Sequence, residues 1–463
     1  MPAPAGPGVL LVTAESLGVR MAGPAIRTLE LARALARDER VGPVSVASLG
    51  AVELTDDAVR LVPVSGAGTL AGLLDGVSVV VVQGDVLGLR PELVSSALPI
   101  VVDAYDPFHL EQLEQTRGLP EETRRAVVRD CITSLNLQLS RADLVLCASR
   151  RQRALWLGHL AALGRLNPVT YDAAADLSGL VAVVPFGTSA LPPAPGDRTL
   201  LTAAFPQVTA DDVVAVWGGG IYEWLDPVTL VRAVADAAAQ APRLKLVFLG
   251  TKHPVPGIDS TAADARRVAA ELGVLDETVF FAEGWVPYAE RDRWLGAADL
   301  AVTTHWDHLE TEFAFRTRVL DALWCGLPVV STTGDELADV LDRAGAGLVV
   351  PPGDVPALRD ALVRLATDDA LRAEVAGAAS RLAERFTWDR VSAPLADFCA
   401  APRRAPDLDL DPVARVQLGL RQPGTAVGSP WQRVQAALRE GGPALLTRRL
   451  RSRLPFGLGG GAL

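Results

Sequence analysis

Between Asp307 and Val330 the chain gathers residue types suited to binding anions and polyols: the acids Glu310 and Glu312, then Phe315, Arg316, Arg318 and Asp321. A strand-like run ends just before them at Thr303-Thr304, and helical spacing follows. In an open α/β sheet, ligands bind beyond the carboxyl ends of the strands. An arginine there could grip phosphate bidentately near a helix start. Arg318 has Asp321 three residues on, so that pair also fits an intrahelical salt bridge, whereas Arg316 has no such partner and is the sharper candidate. The Asp321 carboxylate could accept hydrogen bonds from vicinal hydroxyls such as those of a ribose. Glu310 and Glu312 are either ligand-facing acids or solvated loop residues.

Three further clusters lie at strand ends. Gly218, Gly219 and Gly220 directly follow the apolar run Val213–Trp217. Without Cβ atoms, a phosphate can approach backbone N–H groups there, and Asp226-Pro227 fits an N-cap followed by proline at the first helical position. An ordinary tight turn is the competing explanation. Lys252, just past the run Leu244–Gly250, either offers a point charge to a diphosphate or is a plain surface lysine. In the first half, Asp106 follows the buried-type run Ile100–Asp103; it either faces a ligand or, with Pro107, caps a helix. The loop Met21–Ala25, with Gly23, falls on the same rim. His305 and His308 near Glu310 lack a third partner at ligand spacing, so no metal is expected.

The elements that must carry these residues alternate. Short apolar runs at Gly8–Thr13, Val44–Ala47, Val79–Val82, Ile100–Asp103, Leu144–Ala148 and Val181–Gly187 are separated by helical stretches. That alternation predicts βαβ units in a parallel sheet, with right-handed crossovers setting the post-strand loops along one rim. A second series runs through Val213–Trp217, Leu244–Gly250, Val279–Phe281, Leu300–Thr303, Val329–Ser331 and Gly347–Pro351. The chain therefore divides into a first doubly wound domain over 1–190, a proline-bearing linker over 191–210 and a second domain over 211–386. A helix over 387–400 follows, with Thr387 as its N-cap and a kink at Pro394. Residues 401–463 form a tail rich in Arg, Pro and Gly; Arg433, Arg439, Arg448, Arg449, Arg451 and Arg453 stand among leucines in a basic amphipathic pattern. Such a tail is either a solubilising end or a reversible attachment to anionic lipid.

Composition narrows the class. The chain has 463 residues, 49% hydrophobic and 21% charged, which suits more than one hydrophobic core and excludes a largely disordered protein. A net charge of −11, with no long basic stripe in the body, argues against nucleic acid as a partner. Cys131, Cys147, Cys325 and Cys399 lack paired spacing and suit reduced, mostly buried thiols. Neither a signal peptide nor a membrane span is expected, so a cytoplasmic protein, peripheral to a membrane at most, is the expectation.

With these residues in view, the chain resembles the retaining GT-B glycosyltransferases of the family-4 type over about residues 8 to 400, most specifically from Trp217 to Gly334. The resemblance implies an α/β fold of two Rossmann-like domains facing across a cleft, with the last helix crossing back to the first domain. It implies a nucleotide-sugar donor on the second domain, a glycan or lipid-linked acceptor on the first, and no cofactor. Asp321 then matches the second acid of the family's Glu-x7-Glu pair, but Phe313 stands at the first, so Glu310 or Glu312 would supply that carboxylate. The family's Arg and Lys after the glycine loop are replaced by Ile221-Tyr222-Glu223-Trp224-Leu225. Lys252, Arg316 and Arg318 would neutralise the diphosphate, and Asp106 would stand near the acceptor hydroxyl. The function so implied is sugar transfer in envelope or polysaccharide synthesis. The alternatives are a sugar-nucleotide epimerase and a catalytically silent scaffold of the same fold.

Overall fold

The computed structural model describes residues 6–410 apart from 20, 65–66, 251–259 and 285. Lys252 and the basic pattern of the tail lie outside the described residues.

Two all-parallel sheets account for the alternation. The first holds β1 (Gly8–Thr13), β2 (Val44–Ser48), β3 (Arg60–Pro63), β4 (Val77–Gln83), β5 (Ile100–Asp103), β6 (Leu144–Cys147) and β7 (Val181–Val183), in the order β3-β2-β1-β4-β5-β6-β7. The second holds β8 (Val213–Gly220), β9 (Leu244–Gly250), β10 (Val279–Phe281), β11 (Leu300–Thr303), β12 (Val329–Thr332) and β13 (Gly347–Val350), in the order β10-β9-β8-β11-β12-β13. Every residue of β1, β5, β6, β11 and β12 is buried, as strands covered by helices on both faces require. Strand order reverses between β1 and β4 in one sheet and between β8 and β11 in the other. Those two switch points open crevices at the carboxyl ends of the strands.

One strand escapes sequence reading. The edge strand β3 has a largely uncovered pattern and ends in Pro63, a residue tolerated only where no ladder donor is needed. Other boundaries move. The stretch expected as linker contains the helix Arg198–Ala204, whose Leu201 is fully buried. The crossing itself is short. Thr188 N donates to the Phe386 carbonyl at 2.7 Å, and Trp388 N donates to the Thr188 carbonyl at 2.9 Å, so both passages between domains run side by side. Thr387 occupies the N-cap position but makes no side-chain cap. The final helix is broken into Trp388–Val391 and Ala393–Ala400, with Pro394 in the first turn of the second piece. It returns to the first domain, where Arg37 pairs with Asp389 at 2.5 Å and Arg40 with Asp397 at 2.8 Å.

Residues 401–410 are not the start of a tail. Ala405 and Leu408 are buried in the first domain, and Asp407 is held by Arg165 at 2.6 and 3.0 Å inside it. Among the described residues no helix is long and apolar enough to cross a membrane. Cys147 and Cys399 are buried, Cys131 and Cys325 partly so, and all four are free thiols.

Candidate functional site

The cleft between the domains is lined from the first domain by Gly23, Ile26 and Phe186. From the second it is lined by Gly218–Gly220, Gly250, Tyr288, Arg291, Arg318 and Asp321. It encloses about 170 Å³.

The glycines there are required by geometry. Gly219 has a φ of +79°, and the β8–β9 register shifts between Trp217 and Gly220. A Cβ on Gly250 would fall 2.5 Å from the Gly219 carbonyl oxygen. The strand end is therefore a bulge against which a neighbouring backbone closes, and side chains are excluded from it. Arg318 is fastened to this bulge. Its Nη2 donates to the Gly220 carbonyl at 2.8 Å, and its guanidinium lies 4.9 Å from the Trp217 ring centroid. Nη1 is buried without a hydrogen-bond partner among the described residues. Burial is the main reason its pKa drops to about 10, with Arg316 adding to the fall; a cation lacking a counter-ion behaves this way.

Arg316, the sharper sequence candidate, is occupied. The chain does not run on as one helix: Leu309–Phe313 ends, and Thr317–Trp324 begins after a break at Ala314–Arg316. That break folds Arg316 back onto Glu310, with two hydrogen bonds of 2.8 and 2.6 Å in a buried bidentate pair. Arg316 and Glu310 are thus partners rather than separate grips on a ligand. Glu312 is exposed on the short helix and Phe315 packs against the hydrophobic core, so neither lines the cleft. Asp321 does line it, but its partner is Arg291 at 2.9 Å rather than Arg318. His308 caps the short helix, its Nδ1 accepting from Thr311 N at 3.2 Å, which spends that nitrogen.

Asp106 feels the charges of Glu310 and Arg316, but none of the three lines the cleft; Asp106 lines the cavity at the first domain's switch point instead. Its carboxylate accepts a hydrogen bond from Glu111, an acid on the helix Phe108–Gln115 that sequence reasoning passed over. Both carboxyls are pushed up chiefly by burial, with Glu310 adding to each; Asp106 rises to about 6 and Glu111 well above its ordinary range. Two buried carboxyls in one hydrogen bond, both pushed up, hold a proton between them. The only sequence signal was a second acid five residues past Asp106 at a helix start. The domains also touch directly here. Gln152 Nε2 donates to the Tyr105 carbonyl of its own domain and to the Phe313 carbonyl of the other, both at 2.8 Å. Arg151 pairs with Asp339 at 2.6 Å and also donates to the Gly334 carbonyl.

Residues 200–368 match the family model described as "Glycosyl transferases group 1". A D-inositol 3-phosphate glycosyltransferase of Saccharomonospora viridis is 33% identical over 233 residues, covering 49% of this chain and 51% of that protein. The chain spans about half the length of the curated relatives it matches. Among solved structures, sucrose-phosphate synthase from Thermosynechococcus elongatus aligns with a TM-score of 0.60 at 17% identity, over 85% of this chain and 98% of that one. Anabaena HepE in complex with UDP aligns with a TM-score of 0.58 at 16% identity, over 85% and 99%. The fold is GT-B, as the resemblance implied.

Proposed function

Taking residues 200–368 as a glycosyl transferases group 1 domain within a GT-B fold, we propose that this protein transfers a sugar from a nucleotide-sugar donor to an acceptor hydroxyl. The observation that carries the proposal is Arg318: a guanidinium without a carboxylate partner among the described residues, stacked on Trp217 beside the glycine bulge, with one buried N–H unsatisfied there. A diphosphate would supply the missing charge. As the glycosidic bond breaks, negative charge grows on the leaving phosphate, and a preorganised cation there stabilises the transition state more than the ground state. Asp321 accepts the ribose hydroxyls with the oxygen that Arg291 leaves free. Asp106, held by the Glu111 hydrogen bond, orients the acceptor hydroxyl. Glu310, clamped by Arg316, keeps a fixed carboxylate near it.

The finer features follow the family pattern and belong to this proposal: retention at the anomeric carbon, no cofactor beyond the donor, and a role in envelope glycan synthesis. The cytoplasm as its place of action and attachment of the tail to anionic lipid stand on the same footing. UDP is the first donor nucleotide to test, since HepE binds it. The acceptor side is the crevice at the β1–β4 switch point. A separate acceptor cavity favours transfer over epimerisation, which needs none. Some relatives bear the name of a phosphorylated cyclitol, which makes a cyclitol ring, with or without its phosphate, one acceptor class to test.

Titration of the full chain with UDP by calorimetry tests the proposal. Wild type should bind, and Arg318→Ala should weaken binding by tenfold or more, in the range of a charge-assisted hydrogen bond of about 1.5–3 kcal/mol. Equal affinity in the variant removes Arg318 from the site. If UDP, GDP, dTDP and ADP all fail to bind, the reading as a transferase fails.

A further inference from the structure

A cavity of about 370 Å³ lies at the β1–β4 switch point of the first domain and meets the donor cleft at the start of the helix Gly23–Arg37, where Gly23 lines one and Pro24 the other. Its walls carry Glu15, Asp85, Asp106 and Asp130, and no lysine or arginine lines it among the described residues. Asp103 also lines it and pairs with Arg27 at 2.7 Å.

Two buried amides give this cavity a second, independent character. Gln83 is 7% exposed; its Oε1 accepts from the Thr13 hydroxyl at 3.2 Å, and its Nε2 has no partner among the described residues. Gln138 is 2% exposed; its Nε2 donates to Ser134 at 2.9 Å, Ser134 donates to Asp85 at 2.5 Å, and the Gln138 Oε1 is left without a partner among the described residues. One donor and one acceptor without a protein partner among the described residues, each on a side chain lining the cavity, suit a ligand that both accepts and donates hydrogen bonds. Ring hydroxyls do both.

Resting on the transferase reading above, we propose that this cavity takes a polyhydroxylated acceptor ring carrying an ammonium group and excludes a phosphorylated one. The amides engage the hydroxyls, and the carboxylates attract the ammonium. A phosphate in the same place meets like charges with no cation among the described lining residues to compensate it.

Calorimetry on the full chain in the presence of UDP, with glucosamine (amine protonated), glucose and glucose 6-phosphate as probes, decides this. Glucosamine should bind about fivefold or more tightly than glucose, the range of a modestly exposed ion pair, and glucose 6-phosphate weakest of the three. Asp85→Asn and, at the exposed rim where folding is least at risk, Glu15→Gln should each shrink the preference for glucosamine over glucose. Glucose 6-phosphate binding as well as glucosamine overturns the proposal. So does an unchanged preference in both variants, or no binding by any of the three sugars. UDP binding in the same cell separates the two levels. UDP bound with the wrong order of sugars sinks only the acceptor class, whereas failure of UDP to bind sinks the transferase reading and this inference with it.

Discussion

The Asp106–Glu111 pair ties the chemistry at residue scale to a measurable pH dependence. Asp106 has its folded pKa raised to about 6 from 3.8, by burial first and then by Glu310 and Asp103; Glu111 is raised well above its ordinary range. A folded state that holds protons more tightly than the unfolded chain is stabilised below the unfolded pKa, and loses that contribution as pH climbs through the folded one. Melting temperature should therefore fall from about pH 4 through pH 6 and above. Glu111→Gln keeps a hydrogen-bond donor to Asp106 without exchanging a proton, so it should flatten this fall. Asp335, also raised to about 6 by burial, leaves part of the slope in place. Circular-dichroism melts across that range check it, and superimposable slopes for the two proteins would remove the pair from the account. The residue scale is also where sequence reading was least able to see. Asp321, Gly23, Arg318 and the three glycines line the cleft. Yet the ranking of the arginines reversed, because the break at Ala314–Arg316 lets Glu310 reach six residues along the chain. Spacing rules for a continuous helix cannot foresee that contact.

Elements were far more legible, for a physical reason. Buried parallel strands must be unbroken apolar runs, so among the described residues twelve of the thirteen strands stood out and only the uncovered edge β3 did not. Asp226 caps its helix through Thr229 N at 3.0 Å, as its placement before Pro227 implied. What periodicity does not encode is how a strand ends. The bulge at Gly218–Gly220 is set by positive φ at Gly219 and by the close approach of Gly250, and it supplies the carbonyl that anchors Arg318. Gly219→Ala should lose about 1–2 kcal/mol of stability, the penalty for a left-handed residue with a Cβ, and should also weaken UDP binding by displacing Arg318. Gly273→Ala, at a φ of +69° in a turn remote from the cleft, is the control. It should lose similar stability in urea denaturation while keeping its UDP affinity. If both variants bind UDP as wild type does, the bulge does not position the arginine.

At the scale of the whole molecule, the described cleft of about 170 Å³ falls below the ~300 Å³ at which small-molecule pockets begin, so the proposed nucleotide-sugar donor would need the domains to part and close again. The paired crossings at Thr188 and Thr387 provide a narrow hinge. On the far side the domains are fastened by Arg151, whose guanidinium meets Asp339 and the Gly334 carbonyl and whose backbone N–H donates to Glu336 at 3.1 Å, and by Gln152 on the Phe313 carbonyl. This latch holds the helix Leu309–Phe313 against the domain bearing Asp106, so under the proposed function it would set how completely the donor sugar is shielded from water. Arg151→Ala removes the side-chain half of the latch and touches neither the nucleotide wall nor the acid cavity. UDP affinity should therefore change little. The closed state should be less populated, giving a larger radius of gyration in small-angle scattering and, during turnover, a higher ratio of hydrolysed to transferred sugar. A variant with wild-type scattering and partitioning would mean that the hinge and the bound substrates alone set closure. Loss of UDP affinity instead would mean that the latch acts on the donor wall.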